Sequence, residues 1–303
     1  MNPTINANIS LIGVPMDLGA DRRGVDMGPS AIRYAGVVER LRKIGYTIHD
    51  RGDLVVRRPR NYSTAGTNLK YLEEISRLGT ELADKVAEEM SLGHFPLIIG
   101  GDHSIALGTL AGVLQHKKST GVIWYDAHGD LNTADTSPSG NIHGMPLAVS
   151  MGHGHEKLIS IGGIDCKVKA ENIVIIGARS LDEGEKRFIK ERGIKVYTMH
   201  EIDRLGMTRV MEEALEIVTT DTDGVHLSLD LDGLDPNDAP GVGTPVIGGI
   251  TYRESQLAME MLSEANVLTS AEFVEVNPIL DNMNKTAEIA VELMVSLFGE
   301  KLI

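Results

Sequence analysis

Cysteine is almost missing from this sequence. Cys166 is the only one in 303 residues, so no disulfide can close within the chain, which fits a reducing compartment. Nothing around Cys166 marks it as a nucleophile, and it reads as a structural thiol. Cations are the second shortage: 29 Lys and Arg stand against 43 Asp and Glu, for a formal net charge of -14. That balance argues against a nucleic-acid or anionic-membrane partner, either of which calls for a basic face. Long apolar runs are the third, since none approaches the ~20 residues of a membrane span. The N-terminus lacks the basic patch and apolar run of a signal peptide, so a cytoplasmic protein is expected. With no internal repeat and no low-complexity linker, residues 1–303 read as a single catalytic domain.

What the chain does have is alternation. Apolar residues make up 42% of it, enough for a sizeable core. Short Val/Ile/Leu runs at Ile9–Val14, Leu97–Ile99, Val122–Tyr125, Ile173–Ile176, Val225–Leu229 and Ala271–Val276 have the pattern of buried parallel strands. Between them, Pro29–Lys43, Leu69–Leu92, Met207–Thr219, Arg253–Glu264 and Lys285–Phe298 read as helices, several bounded by Gly or Pro. The expected architecture is α/β, a three-layer α/β/α sandwich with a central, mostly parallel sheet. The longest irregular stretch is Gly129–Asn141, and loops of that length in compact domains are often functional.

Ligands of open α/β sheets bind beyond the carboxyl ends of the strands. The polar residues collect there: Gly100-Gly-Asp-His103, Asp126-Ala-His-Gly-Asp130, Asp230-Leu-Asp232 and Glu275-Val-Asn-Pro278. In extended backbone, alternate residues share a side, so Asp126, His128 and Asp130 are expected to converge, as are Asp230 and Asp232. Any one Asp at a strand end is ordinarily a turn or helix cap. Three strand ends carrying alternating acids and imidazoles are not explained that way. So many carboxylates in one cleft repel one another unless divalent cations join them. A mostly oxygen set with two imidazoles and no thiolate suits Mn²⁺ better than Mg²⁺, Fe²⁺ or Zn²⁺. Paired metals can share a water and turn it into hydroxide near neutral pH. The residues therefore point to a binuclear hydrolase with His103, Asp126, His128, Asp130, Asp230 and Asp232 as ligands.

At these residues the sequence resembles the ureohydrolase family, in particular its arginases. Gly100-Gly-Asp-His-Ser104, Asp126-Ala-His-Gly-Asp130 and Ser228-Leu-Asp-Leu-Asp-Gly-Leu-Asp-Pro236 are similar to the family's metal motifs. The likeness starts at Gly13-Val-Pro-Met and Gly24-Val-Asp-Met-Gly-Pro29. The resemblance implies the arginase/deacetylase fold, two Mn²⁺ per subunit, and hydrolysis of L-arginine to L-ornithine and urea by a metal-bridging hydroxide. It also implies roles for single residues. Asn132, Ser139 and Asn141 match the loop that holds the α-carboxylate, and Asp182 and Glu185 match the α-ammonium contacts. His143 matches the proton shuttle, Glu275 the carboxylate facing the guanidinium, Thr244 a supporting position, and Asp130 a ligand that also handles a proton.

Blander readings stand beside these. Ser139 and Asn141 are also ordinary loop residues. Asp182 with Glu185 has the spacing of a helix capping box, and His143 can cap the following helix. Agmatinases and other guanidino-compound amidinohydrolases share the metal motifs, and a non-catalytic metal-binding regulator on the same fold is a third reading. Two positions depart from the pattern: Gly129, where Thr, Ser or Ala is common, and Ser180, where some arginases carry an acid. The chain stops at Ile303 without the extended tail of animal arginases, resembling the short bacterial form, so a homo-oligomer is expected, a hexamer before a trimer.

Overall fold

The computed structural model describes residues 7–57, 67–163 and 167–301. Cys166 and Ile303 lie outside the described residues. Eight strands form one sheet: β1 (Asn8–Val14), β2 (Thr47–Asp53), β3 (Phe95–Gly100), β4 (Thr120–Tyr125), β5 (Ile173–Ala178), β6 (Lys195–Thr198), β7 (Gly224–Asp230) and β8 (Leu268–Val274). The spatial order is β2-β1-β3-β8-β7-β4-β5-β6, and every paired neighbour runs parallel.

Alternate side chains of these strands feed two helical layers. Leu97 and Ile99 of β3, with Ile123 and Tyr125 of β4, pack among the helices Met207–Thr219, Tyr252–Ala265 and Lys285–Leu297. Ile98 faces the other way, toward Leu72–Ser91, and Val122 and Trp124 face Ala106–Leu114. A strand buried on both faces has no polar side to show, which is why its run is continuously apolar. The three-layer α/β/α sandwich is thus the observed fold.

Several elements depart from the sequence reading. The edge strands β2 and β6 were not anticipated. Their residues are largely half-exposed or exposed, so their sequences lack the apolar run that marks the interior. The helix expected over Pro29–Lys43 is two helices, Gly28–Tyr34 and Val37–Lys43. Gly36 separates them at φ 88, a left-handed conformation that suits glycine and breaks the helical path. Ala106–Leu114, a helix not anticipated, is buried at every position and so carries no amphipathic period. Strand β8 ends at Val274, leaving Glu275 and Val276 beyond it. Among the described residues no helix is long and apolar enough to cross a membrane.

The strand order positions the chemistry. The chain builds β1 to β6 first and then returns to insert β7 and β8 between β3 and β4. Four adjacent strands, β3, β8, β7 and β4, therefore end side by side, spanning roughly 15 Å at ~4.8 Å per step. All four site motifs leave from those ends.

Candidate active site

His103 follows β3, Asp126 to Asp130 follow β4, Asp230 closes β7, Asp232 follows it, and Glu275 follows β8. All are buried except His128, which is partly exposed. His103 Nδ1 lies 3.0 Å from Asp130 Oδ2, 3.1 Å from Asp126 Oδ2 and 3.3 Å from Asp230 Oδ2. His128 Nδ1 lies 3.3 Å from Asp126 Oδ1 and 3.1 Å from Asp232 Oδ2. Two ligand groups result, His103–Asp126–Asp230 and Asp126–His128–Asp232, and they share Asp126. The six residues singled out as ligands are therefore brought together.

The cause of the convergence needs correction. Strand alternation does not supply it, because Asp126 to Asp130 and Asp232 lie past the strand ends. Three of the four motifs instead carry an Asp that folds back onto the amide two residues on. Asp102 Oδ1 accepts from Ser104 N–H at 3.0 Å, Asp126 Oδ1 from His128 N–H at 2.7 Å, and Asp230 Oδ1 from Asp232 N–H at 2.7 Å. These Asx turns tighten the chain and draw the paired side chains close. Gly101 packs its backbone against Met16, where a Cβ would sit 1.7 Å from the Met16 carbonyl oxygen. That explains the second glycine of Gly100-Gly-Asp-His103.

Two site residues adopt left-handed backbone without being glycine: Asp130 at φ 52 and Glu275 at φ 66. Such conformations cost about 1–3 kcal/mol and persist where surrounding contacts over-determine them. The Asp130 carbonyl accepts from Leu147 N–H at 3.1 Å, and Glu275 N–H donates to the Gly101 carbonyl at 2.8 Å.

The electrostatics favour added cations. Burial, followed by the neighbouring Asp126 charge, pushes the Asp130 carboxyl up to about 6. Burial and Asp232 push Asp230 up as well. Despite their burial, His103 and His128 are held protonated by the surrounding carboxylates. The protein's own groups thus compete for protons to relieve carboxylate repulsion, and divalent ions can take over that role. Buried Glu275 Oε2 has no hydrogen-bond partner among the described residues, as expected of an atom reserved for something else. The donor set of two imidazoles and four aspartates fits a pair of hard-to-borderline divalent cations.

Around this centre lies a cleft of about 400 Å³ lined by Asp21, His128, Asn141, His143 and Thr244, among others. His143 Nδ1 is 3.3 Å from Glu275 Oε1. Burial opposes its charge, but the Glu275 carboxylate wins and pushes the imidazole up to about 9. His143 caps no helix: its N–H donates to the Gly19 carbonyl at 3.1 Å. Thr244 Oγ1 donates to Asp232 Oδ2 at 2.8 Å. Asn132 is buried, and its Nδ2 donates to Asp182 Oδ2 at 2.8 Å. Asp182 does cap the helix Glu183–Arg192 in a full capping box with Glu185. Glu185 accepts from Asp182 N–H at 2.8 Å and from Leu131 N–H at 3.1 Å, and burial pushes its carboxyl up to about 7. Ser139 is exposed, and its Oγ accepts from Asn141 N–H at 3.2 Å. Gly129 contributes no side chain, and a Cβ there would meet Glu185 Oε1 at 3.0 Å.

The sequence reading passed over a buried chain beneath the centre. His103 Nε2 is 2.8 Å from Ser228 Oγ, which donates to Glu272 Oε1 at 2.7 Å. Glu272 also meets His226 Nε2 at 3.4 Å, and His226 Nδ1 meets Ser270 Oγ at 2.9 Å. Because the serine proton goes to Glu272, Nε2 must be the donor to Ser228, which leaves Nδ1 as the nitrogen that could face a cation once the ring is neutral. Trp124 stacks on the same ring at 4.2 Å, and its Nε1–H donates to Asp126 Oδ2 at 3.0 Å. The signal was available: His226 and Ser228 continue the alternation of Asp230 back into β7, and Glu272 is a charge inside an apolar run.

A layered parallel sheet whose central strand ends carry histidine-centred carboxylate groups defines a metallohydrolase. Comparison narrows the class. A sequence model of the arginase family matches residues 7–299, and the chain belongs to that family. It is similar to the arginase of Brevibacillus brevis, at 66% identity over 299 residues, covering 99% of this chain and 100% of the relative. The crystal structure of the Bacillus caldovelox arginase superposes with a TM-score of 0.96 at 65% identity, covering 98% of this chain and 100% of that one. An Entamoeba histolytica arginase solved with L-ornithine gives a TM-score of 0.90 at 35% identity, again covering 98% and 100%.

Proposed function

We propose that this chain hydrolyses L-arginine to L-ornithine and urea, with two Mn²⁺ per subunit. The carrying observation is the pair of buried histidine-centred groups sharing Asp126, in a member of the arginase family. His103, Asp126, Asp130 and Asp230 would hold one cation, and Asp126, His128 and Asp232 the other. When bound, such ions supply Lewis-acid chemistry and make water acidic enough to ionise near neutral pH.

The chain's own residues do the rest. Glu275 Oε2, buried and without a hydrogen-bond partner among the described residues, accepts from the guanidinium N–H groups and fixes the carbon toward the centre. Asp130 accepts a proton at a carboxylate oxygen. His143, protonated at neutral pH beside Glu275, delivers a proton from Nε2 to the departing amine. A Cζ–O bond forms and the Cζ–Nε bond breaks, so that Nε leaves as the side-chain amine of ornithine with that proton completing it, and Cζ with both Nη atoms leaves as urea. Asn132, Ser139 and Asn141 receive the α-carboxylate, Asp182 and Glu185 the α-ammonium, and Thr244 steadies Asp232.

Residues 1–303 act as one catalytic domain, a reading supported by the single sheet. The chain is read as a cytoplasmic homo-oligomer, hexameric rather than trimeric; exposed apolar residues at Met27, Tyr34, Ile279, Leu280 and Met283 support association between copies. The two segments that carry them adjoin, with Asn284 Nδ2 donating to the Ala31 carbonyl at 3.2 Å. The test of function is urea release by Mn²⁺-loaded protein from L-arginine, agmatine and guanidinobutyrate. Release from arginine in preference to the other two is expected. Turnover of agmatine without arginine would overturn the substrate, and metal uptake without turnover of any of them would overturn the enzyme.

A further inference from the structure

At the mouth of the cleft an ammonium, an amide and a carboxylate meet. Lys70 Nζ donates to Asn141 Oδ1 at 2.9 Å and to Asp21 Oδ1 at 2.7 Å. The Lys70 ammonium, with Asn141 nearby, holds the Asp21 carboxyl below its usual range. Lys70 is itself fixed to the loop before His143, because its N–H donates to the Gly140 carbonyl at 3.1 Å. Asn68, two residues earlier, donates to the Ala134 carbonyl at 2.8 Å. The lysine side chain is 20% exposed while that of Asp21 is 67% exposed. One partner is thus built in, and the other is free to turn into water.

An ammonium oriented by an amide, facing a carboxylate at 2.7 Å, makes with that amide a carboxylate-binding pair. Asp21 lies on it here, and Asp21 and Asn141 both line the cleft. We propose that Lys70 is a substrate-specificity residue that, with Asn141, receives the α-carboxylate, and that Asp21 occupies this pair until substrate displaces it. The inference rests on the reading that Asn141 meets the α-carboxylate, and it adds two assignments. Lys70 supplies the charge and orients the amide. Asp21 is an internal competitor whose removal tightens binding. The competition also favours an anion over a neutral group, since displacing Asp21 leaves Lys70 unpaired unless the newcomer is charged.

The test uses Mn²⁺-loaded wild type, Lys70→Met, Lys70→Arg, Asp21→Asn and Asn141→Ala. It measures kcat and KM for L-arginine and the competitive Ki of L-argininamide, whose carboxylate is replaced by a neutral amide. Lys70→Met is expected to raise the KM for arginine about tenfold, the scale of one charge-assisted hydrogen bond. Its kcat and the Ki of argininamide should stay within about twofold. Lys70→Arg should recover most of the loss, and Asp21→Asn should move KM the opposite way, downward by about two- to threefold. A KM unchanged in Lys70→Met, an equal rise in KM and Ki, or a rise in KM for Asp21→Asn would overturn the proposal. Asn141→Ala separates it from its premise. If that variant affects arginine and argininamide alike, the carboxylate reading of Asn141 fails. If it discriminates between them while Lys70→Met does not, only the assignment of Lys70 fails.

Discussion

Buried carboxylates collect at both ends of this sheet, and the two ends neutralise them differently. At the amino ends of β1 and β3, Glu89 is fully buried but surrounded by the chain's own donors. Ser10 Oγ is 2.6 Å away, Arg51 Nη2 2.9 Å, His94 Nδ1 3.1 Å and Lys85 Nζ 3.2 Å. At the carboxyl ends, Asp126, Asp130, Asp230, Asp232 and Glu275 are equally buried, and the ion pairs that reach them come from His103, His128 and His143. Arg179 stands nearby but spends its guanidinium on backbone carbonyls, at Gly177, Asp232, Gly233, Leu234 and Val246. A buried charge with its own counter-ions is architecture, whereas buried charges without them await ions from outside. Substitutions at each end can break that distinction.

The largest effect is expected at Asp126, which belongs to both ligand groups. Asp126→Asn should lose at least one of two Mn²⁺ per chain by elemental analysis and lower kcat/KM by roughly 10³, beyond the ~10–100-fold of an outer partner. Two metals retained per chain would remove Asp126 from the ligand set. It would also place this end of the sheet in the same category as Glu89.

Glu272 lies between the two cases. It is buried in mid-sheet, bonded to Ser228 and facing His226, and it reaches the centre only through Ser228 and His103. Glu272→Gln keeps the volume and removes the charge. Metal affinity is expected to fall about tenfold, with kcat at saturating Mn²⁺ within about threefold, read by metal titration of the apoenzyme. Lowered thermal stability with unchanged metal affinity would instead place Glu272 with the architectural carboxylates.

Why the sequence disclosed one end of the sheet and not the other follows from the same contrast. Central strands are buried on both faces, so their apolar runs are continuous and their polar ends conspicuous; Asp126-Ala-His-Gly-Asp130 is legible for that reason. The residues that converge were readable, but the Asx turns that gather them were not, because an Asp at a strand end looks the same whether it only caps a turn or, like Asp126 and Asp230, caps a turn and joins the buried cluster as well. Asp182 and Glu185 carried two readings, and the capping box is realised. The Glu89 cluster draws Ser10, Arg51, Lys85 and His94 from four separate segments. Lys85 is spaced i,i+4 from Glu89 on the helix Leu72–Ser91, but no local spacing links Ser10 or Arg51 to it, and only the packing of that helix against the strands brings them in. The same is true of Lys70, which reaches Asn141 across 71 residues.

The smallest effect on activity is expected at Glu89, where the comparison predicts a change in stability. Burial there is outweighed by Ser10, Arg51, Lys85 and His94, which bring the carboxyl from 4.5 down to about 2. A folded-state pKa below the unfolded value stabilises the protein above pH 4.5, and that contribution is lost as the pH falls toward 2. A shift of this size corresponds to about 3 kcal/mol. Glu89→Gln should therefore leave kcat and metal content at neutral pH within about twofold, because no part of the cluster touches the centre. Its stability deficit, measured by urea unfolding from pH 7 downward, should be largest at neutral pH and shrink below pH 4.5 as the wild-type carboxylate takes up its proton. A deficit independent of pH would mean that Glu89 contributes shape alone, and the charge contrast between the two ends of the sheet would fail at this end.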